Sequence, residues 1–152
     1  HIFSIEADHA KLDRLRRNFP FCAFTECAVG EMPGTAEFFT HPSRSGFNSL
    51  AASEADGVIR TTVEVRTLDE VFPEQIFQTI KIDVEGMEIA VLGGLEQTIV
   101  RTRPVLFIEV NSANEAAFQT WVLAHDYRVE RADKLDASCV NYLILPDVGQ
   151  SK

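Results

Sequence analysis

Apolar and polar positions along the chain switch repeatedly between a period of two and a period of about 3.6. Residues 2–5 form a short β-prone run that ends on Glu6. Asp8 then stands where a helix cap belongs. Leu12, Leu15 and Phe19 share one face of a helix expected to run to about Asn18, and Pro20 stops it. Residues 23–29 read as the next strand and residues 30–34, with Gly and Pro, as a turn. Residues 35–40 and 62–66 read as strands, the second with Val63 and Val65 alternating against polar neighbours. The Ser-, Ala- and Gly-rich stretch 41–57 between them has the length of a lid or binding loop. Residues 68–72 predict a helical turn closed by Pro73. Residues 77–83 carry the most pronounced strand pattern of the chain. A turn at Val84-Glu85-Gly86 leads from it into a helix expected over 87–100, with Ile89, Leu92, Leu95 and Ile99 at helical spacing. Residues 104–110 read as a buried strand, 113–125 as a helix, and 127–131 and 139–145 as two last strands.

Strands alternating with helices predict an α/β sandwich of Rossmann-like type. Its sheet is expected to be mainly parallel with an antiparallel last strand, and its ligands to lie at the carboxyl ends of the strands. The 152 residues suit one domain, with a hairpin and loop insert at about residues 35–66. A 45% apolar and 24% charged composition is that of a globular chain. Fourteen Lys plus Arg against 23 Asp plus Glu leave a net charge of −9 and no basic stripe, so nucleic acid is not an expected partner. No apolar run approaches ~20 residues, so no membrane span is expected. Cys22, Cys27 and Cys139 are odd in number and lack CxxC spacing and paired histidines. They read as small apolar residues in a reducing, cytoplasmic setting rather than as zinc ligands.

The strand-end rule then selects the candidate chemistry. Glu6 ends the first strand of the chain, where an acid can accept hydrogen bonds from both hydroxyls of a ribose; it would equally suit the start of the following helix. Asp83 ends a run of buried apolar residues and is expected to point into the cleft. Glu85 and Glu88 follow it around Gly86; three carboxylates within six residues at a strand-to-helix turn are more than filler, although Glu85 and Glu88 could also merely decorate a helix N-terminus. Glu109 ends the neighbouring strand. Paired acids there can act as a base, orient a hydroxyl or hold a divalent cation, and Glu109 could instead cap the next helix. Ser43, Arg44, Ser45, Asn48 and Ser49 form a polar cluster in the long loop. His41 and His125 are lone histidines that suit structural roles, and no hydrolase or kinase motif is present.

The string Ile80-Lys81-Ile82-Asp83-Val84-Glu85-Gly86-Met87-Glu88, followed by Val91-Leu92-Gly93-Gly94, resembles the signature of FkbM-type methyltransferases. Phe3-Ser4-Ile5-Glu6, Cys27-Ala28-Val29-Gly30, Thr67-Leu68-Asp69 and Arg103-Pro104 with Glu109 extend the resemblance over nearly the whole chain. It implies a class I methyltransferase that moves the methyl of S-adenosylmethionine onto a hydroxyl oxygen. The cofactor-binding residues it implies are Glu6 on the ribose, Ala7, Cys27 and Ala28 around the adenine, and Asp83 near the methyl end. The catalytic residues would be Asp83 and Glu109, with Glu109 orienting or deprotonating the acceptor, and no metal is implied. The expected partner is a small hydroxylated acceptor, a sugar or another metabolite; self-association into a homo-oligomer stays open.

In such enzymes a Gly-rich turn after a central first strand carries the methionine part of the cofactor. Neither occurs in these residues, so the domain is expected to be N-terminally incomplete, opening in mid-strand at His1. A nicotinamide-dependent oxidoreductase would share the acid at position 6 but not the signature around Asp83. The alternative of a different kind is a degenerate methyltransferase-fold domain serving as a non-catalytic interaction module.

Overall fold

The computed structural model describes residues 1–40, 50, 58–134 and 138–147. Of the expected loop 41–57 only Leu50 falls among them; His41, Ser43, Arg44, Ser45, Asn48 and Ser49 lie outside the described residues. Strand β1 (Ile2–Glu6) leads into helix α1 (His9–Asn18), whose first turn is capped by the Asp8 side chain accepting the Ala10 and Lys11 N–H groups. Leu12 anchors that helix, fully buried. Strand β2 (Cys22–Glu26) pairs parallel with β1, Ile2 against Cys22 through Glu6 against Glu26.

The single strand expected over 23–29 divides at Cys27. Cys27 and Ala28 are consecutive and both buried, which breaks the alternation a straight strand needs. The chain bends there, and β3 (Ala28–Val29) pairs parallel with β5 (Ile59–Arg66) rather than with β1. β4 (Gly34–Thr40) lies antiparallel on the other side of β5, which forms the expected hairpin. Helix α2 (Leu68–Val71) opens with a capping box in which Thr67 and Glu70 each accept the other's backbone N–H.

Strand β6 (Thr79–Ile82) begins the second half of the molecule. The one helix expected over 87–100 is two, α3 (Glu88–Gly93) and α4 (Glu96–Thr102). The break falls at Gly94, where an added Cβ would stand 2.1 Å from the Gly30 carbonyl oxygen. The N-terminus of α4 is capped from outside by the Asp69 carboxylate, which accepts the Gln97 and Thr98 N–H groups at 2.8 Å each. Strand β7 (Val105–Asn111), a 3-10 turn at Ser112–Asn114 and helix α5 (Glu115–Ala124) follow. Strands β8 (Tyr127–Lys134) and β9 (Cys139–Pro146) end the fold, β8 running three residues past its expected end.

The order β6-β7-β9-β8 makes a four-stranded sheet, with β6 parallel to β7 and β9 antiparallel to both its neighbours. The result is a mixed α/β, Rossmann-like fold. Its main core belongs to this half, where Leu92, Leu95, Ile99, Leu106, Phe118 and Ile144 are all completely buried. Among the described residues no helix is long and apolar enough to cross a membrane.

Between the two halves, β1 pairs only with β2, and β6 only with β7, among the described residues. A cavity of about 550 Å³ separates them, lined by Ile2, Phe3 and Ile5 on one side and by Thr79, Ile80 and Ile82 on the other. Phe3, near the start of β1, meets Phe72 and Phe77 edge-on at 5.2 and 6.0 Å between ring centroids. Phe77 precedes β6, so the beginnings of the two strands face each other; their ends, at Glu6 and Asp83, border a second cavity. The two strands therefore run in the same direction.

Candidate functional site

That second cavity, about 440 Å³, lies at the carboxyl ends of β1 and β6. Its size falls within the range of small-molecule pockets. The structure places Glu6, Ala7, Cys27, Ala28, Asp83 and Glu109 around it together. Ile5, Lys11, Val29, Phe38, Leu50, Val84, Glu85 and Met87 complete the lining. The lining combines apolar residues, with Ala28 and Phe38 each 6% exposed, and the acids Glu6, Asp83, Glu85 and Glu109.

Glu6 has one carboxylate oxygen receiving the Asp8 N–H at 3.0 Å, while the Lys11 ammonium lies 3.5 Å from the other. An ionised carboxylate has about four acceptor positions, so this leaves capacity for hydroxyl donors from a ligand. Cys27 is 3% exposed, and burial pushes its thiol up, with Arg66 opposing. It is a neutral wall of the pocket, as its apolar reading expects.

Among the other acids, Asp83 follows β6 directly and is paired with Lys81, two residues earlier on the same face. Glu109 lies on β7, one position beyond Ile108, the register partner of Ile82. Glu85 completes a cluster with them: one oxygen from each of Asp83, Glu85 and Glu109 lies within 4.8 Å of the others. Burial pushes the Glu85 carboxyl up, the charges of Asp83, Glu109 and Glu88 push it further, and Lys11 opposes. Such a cluster relieves its own repulsion by taking up a proton.

Of Glu85 and Glu88, Glu88 does open the first turn of α3, but buried rather than in water, and Glu85 stands at the cavity instead of on the helix. Glu85 faces the cavity because it and Gly86 adopt left-handed backbone, φ +47° and +95°, which turns the chain back over the strand end. Glu88 is 1% exposed. The glycine at position 86 was the available signal for the first of these; the second depends on Asn114, a distant residue. Capping after β7, one role open to Glu109, falls to Asn111, whose side chain accepts the Ala113 N–H at 3.0 Å. His125 has a structural role, stacked on Trp121 with its Nε2 2.8 Å from Glu96.

Parallel strands ending at an acid-lined cavity define a Rossmann-like α/β protein with its cavity where open α/β sheets hold their ligands. The model of the methyltransferase FkbM domain matches residues 1–135, and the chain belongs to that methyltransferase family. The crystal structure of methyltransferase FkbM from Methylobacillus flagellatus KT has the same fold, with a TM-score of 0.65 and 20% sequence identity over 93% of this chain. The match covers 36% of that protein, so the chain spans about a third of its length. Among the curated proteins none matches the chain significantly.

Proposed function

We propose that the chain forms an S-adenosylmethionine-dependent methyltransferase domain acting on a hydroxyl oxygen of a sugar or another small metabolite. The observation that carries this reading is the convergence of Glu6, Ala7, Cys27, Ala28, Asp83 and Glu109 on one cavity lined by both apolar residues and acids. These residues fit the cofactor's chemistry. Glu6 would accept from the ribose hydroxyls, Ala7 and the Cys27-Ala28 wall would pack the adenine, and Asp83 would face the cationic methionyl end. When bound, S-adenosylmethionine supplies an electrophilic sulfonium methyl. The chain's own task is to align the acceptor oxygen and to take up one proton. Glu109 is assigned that role. Asp83 and Glu85 each bring a carboxylate oxygen within 4.8 Å of one of its own, so the acceptor's proton would be delivered into a cluster of acceptor oxygens.

Calorimetry with S-adenosylmethionine on the full-length protein tests the reading. Binding in the micromolar range is expected, weakened roughly tenfold or more by Glu6→Gln. Asp83→Ala and Glu109→Ala should abolish transfer to a panel of hydroxylated acceptors, and unchanged turnover in either would remove that residue's assignment. Absence of binding by the wild type would favour the non-catalytic interaction module instead.

The paired edges of β1 and β6 support a second part of the same reading. Two strands that run the same way across a cavity, each with an open edge, suit one further strand parallel to both. We assign that strand to the polypeptide outside residues 1–152. Its carboxyl end would reach the 440 Å³ cavity between Glu6 and Asp83.

A further inference from the structure

We propose that Glu88 and Asn114 are positioning residues, a buried clamp that fixes the turn at residues 83–86 and thereby sets the spacing of the three site carboxylates. Glu88 is the one buried acid among the described residues. Both of its oxygens are used: Oε1 accepts the Gly86 N–H at 2.6 Å, and Oε2 accepts from Asn114 Nδ2 at 2.6 Å. The same Asn114 amide donates to the Gly86 carbonyl at 2.9 Å. Gly86 is thus held through its N–H and its C=O at once, from the helix that follows it and from the turn that follows β7.

A first-turn glutamate that served only the helix dipole would sit in water, where its charge costs nothing to keep. Burying it is costly, and removing one partner of such a group leaves an uncompensated charge. The expense has a local return, because Glu85 beside Gly86 adopts left-handed backbone, which a residue with a side chain keeps only when its surroundings hold it. Asp83 opens this turn, Glu85 lies in it, and Glu109 stands on the strand that leads to Asn114. The clamp therefore ties together the two chain segments that bear all three acids.

The consequence for methyl transfer rests on the reading given under Proposed function; the geometry of the clamp does not. The test follows the titration of Glu85 by carboxylate NMR in the full-length protein, comparing wild type with Asn114→Ala, which alters no charge. The groups facing Glu85 are Asp83, Glu109, Glu88 and Lys11. With the clamp cut, the turn opens, the acids separate, and the Glu85 midpoint falls toward the ordinary carboxylate range. An unmoved Glu85 midpoint in Asn114→Ala overturns the clamp, even if that variant melts lower. Should Asn114→Ala not fold, Asn114→Ser, which also lacks the reach, decides by the same criterion. Failure of wild type to bind S-adenosylmethionine would sink the functional reading and leave this result standing.

Discussion

Glu85 holds its proton more tightly in the folded chain than it would in the unfolded one, because it is partly buried among other acids. A carboxyl raised in this way contributes stability that is complete below its unfolded pKa and is lost as pH rises through the folded one. Glu85→Gln keeps the size and removes the titration. It is expected to melt higher than wild type at neutral pH, with the difference closing as the pH falls below 4; melting curves across that range check it. Two glycines separate two further causes. Gly86→Ala meets no atom within 4 Å and suffers only from φ +95°, a cost of roughly 1–2 kcal/mol. Gly94→Ala drives a methyl into the Gly30 carbonyl and should cost about 3 kcal/mol or more, visible in urea denaturation. The acids at positions 6, 83 and 109 were readable from sequence because ligands of an open α/β sheet lie at the carboxyl ends of its strands, and all three stand within two residues of such an end. Glu88 was not, since its burial is decided by Asn114, 26 residues later on another element.

Elements were readable where periodicity and boundary agree, and misread where a periodic pattern continues through a break. Val91, Leu92, Leu95 and Ile99 keep helical spacing and are all buried, yet the helix is interrupted between them at Gly94. The cause is tertiary: the close approach of Gly30 needs a residue without a side chain, and Asp69 restarts the helix from a neighbouring element. That carboxylate also accepts the Thr98 hydroxyl at 2.7 Å. Asp69→Ala strips three hydrogen bonds from the first turn of α4 and should cost about 1–2 kcal/mol in urea denaturation. The break in the 23–29 strand is of the same kind, because a change of pairing partner leaves no mark in a run of β-prone residues. The junction of β7, α5 and β8 is tied more conventionally. Arg103 donates to the His125 and Asp126 carbonyls, its guanidinium lies 4.7 Å from the Tyr127 ring centroid, and the Tyr127 hydroxyl donates to the Pro104 carbonyl. Burial pushes the Tyr127 phenol to about 12, and burial with the Glu115 carboxylate does the same for Tyr142. These are the chain's two tyrosines, so ultraviolet titration should show no tyrosinate step near pH 10.

Across the whole molecule, the interior is unevenly divided. Every member of the main buried cluster lies between Ile82 and Ile144, while the β1–β2 half leans on α1 through Leu12. Hydrogen exchange should accordingly find β7 and β9 slowest, with β1 and β2 opening well before global unfolding. In a full-length protein that supplies the proposed central strand, the amides of β1 and β6 facing the 550 Å³ cavity should also exchange slowly. Rapid exchange there would mean that no strand occupies it. The sequence predicted such a gap from strand order, though not its facing pair of edges. Those edges carry a liability for handling the 152 residues by themselves. An uncovered strand edge is a template that recruits whatever extended chain arrives first, including another copy of the same protein. A charge of −9 keeps folded copies apart, but it acts over about one Debye length, roughly 8 Å in physiological salt, and screening shortens it. Colloidal behaviour of these 152 residues should thus worsen as salt is added, a trend that static light scattering would follow directly.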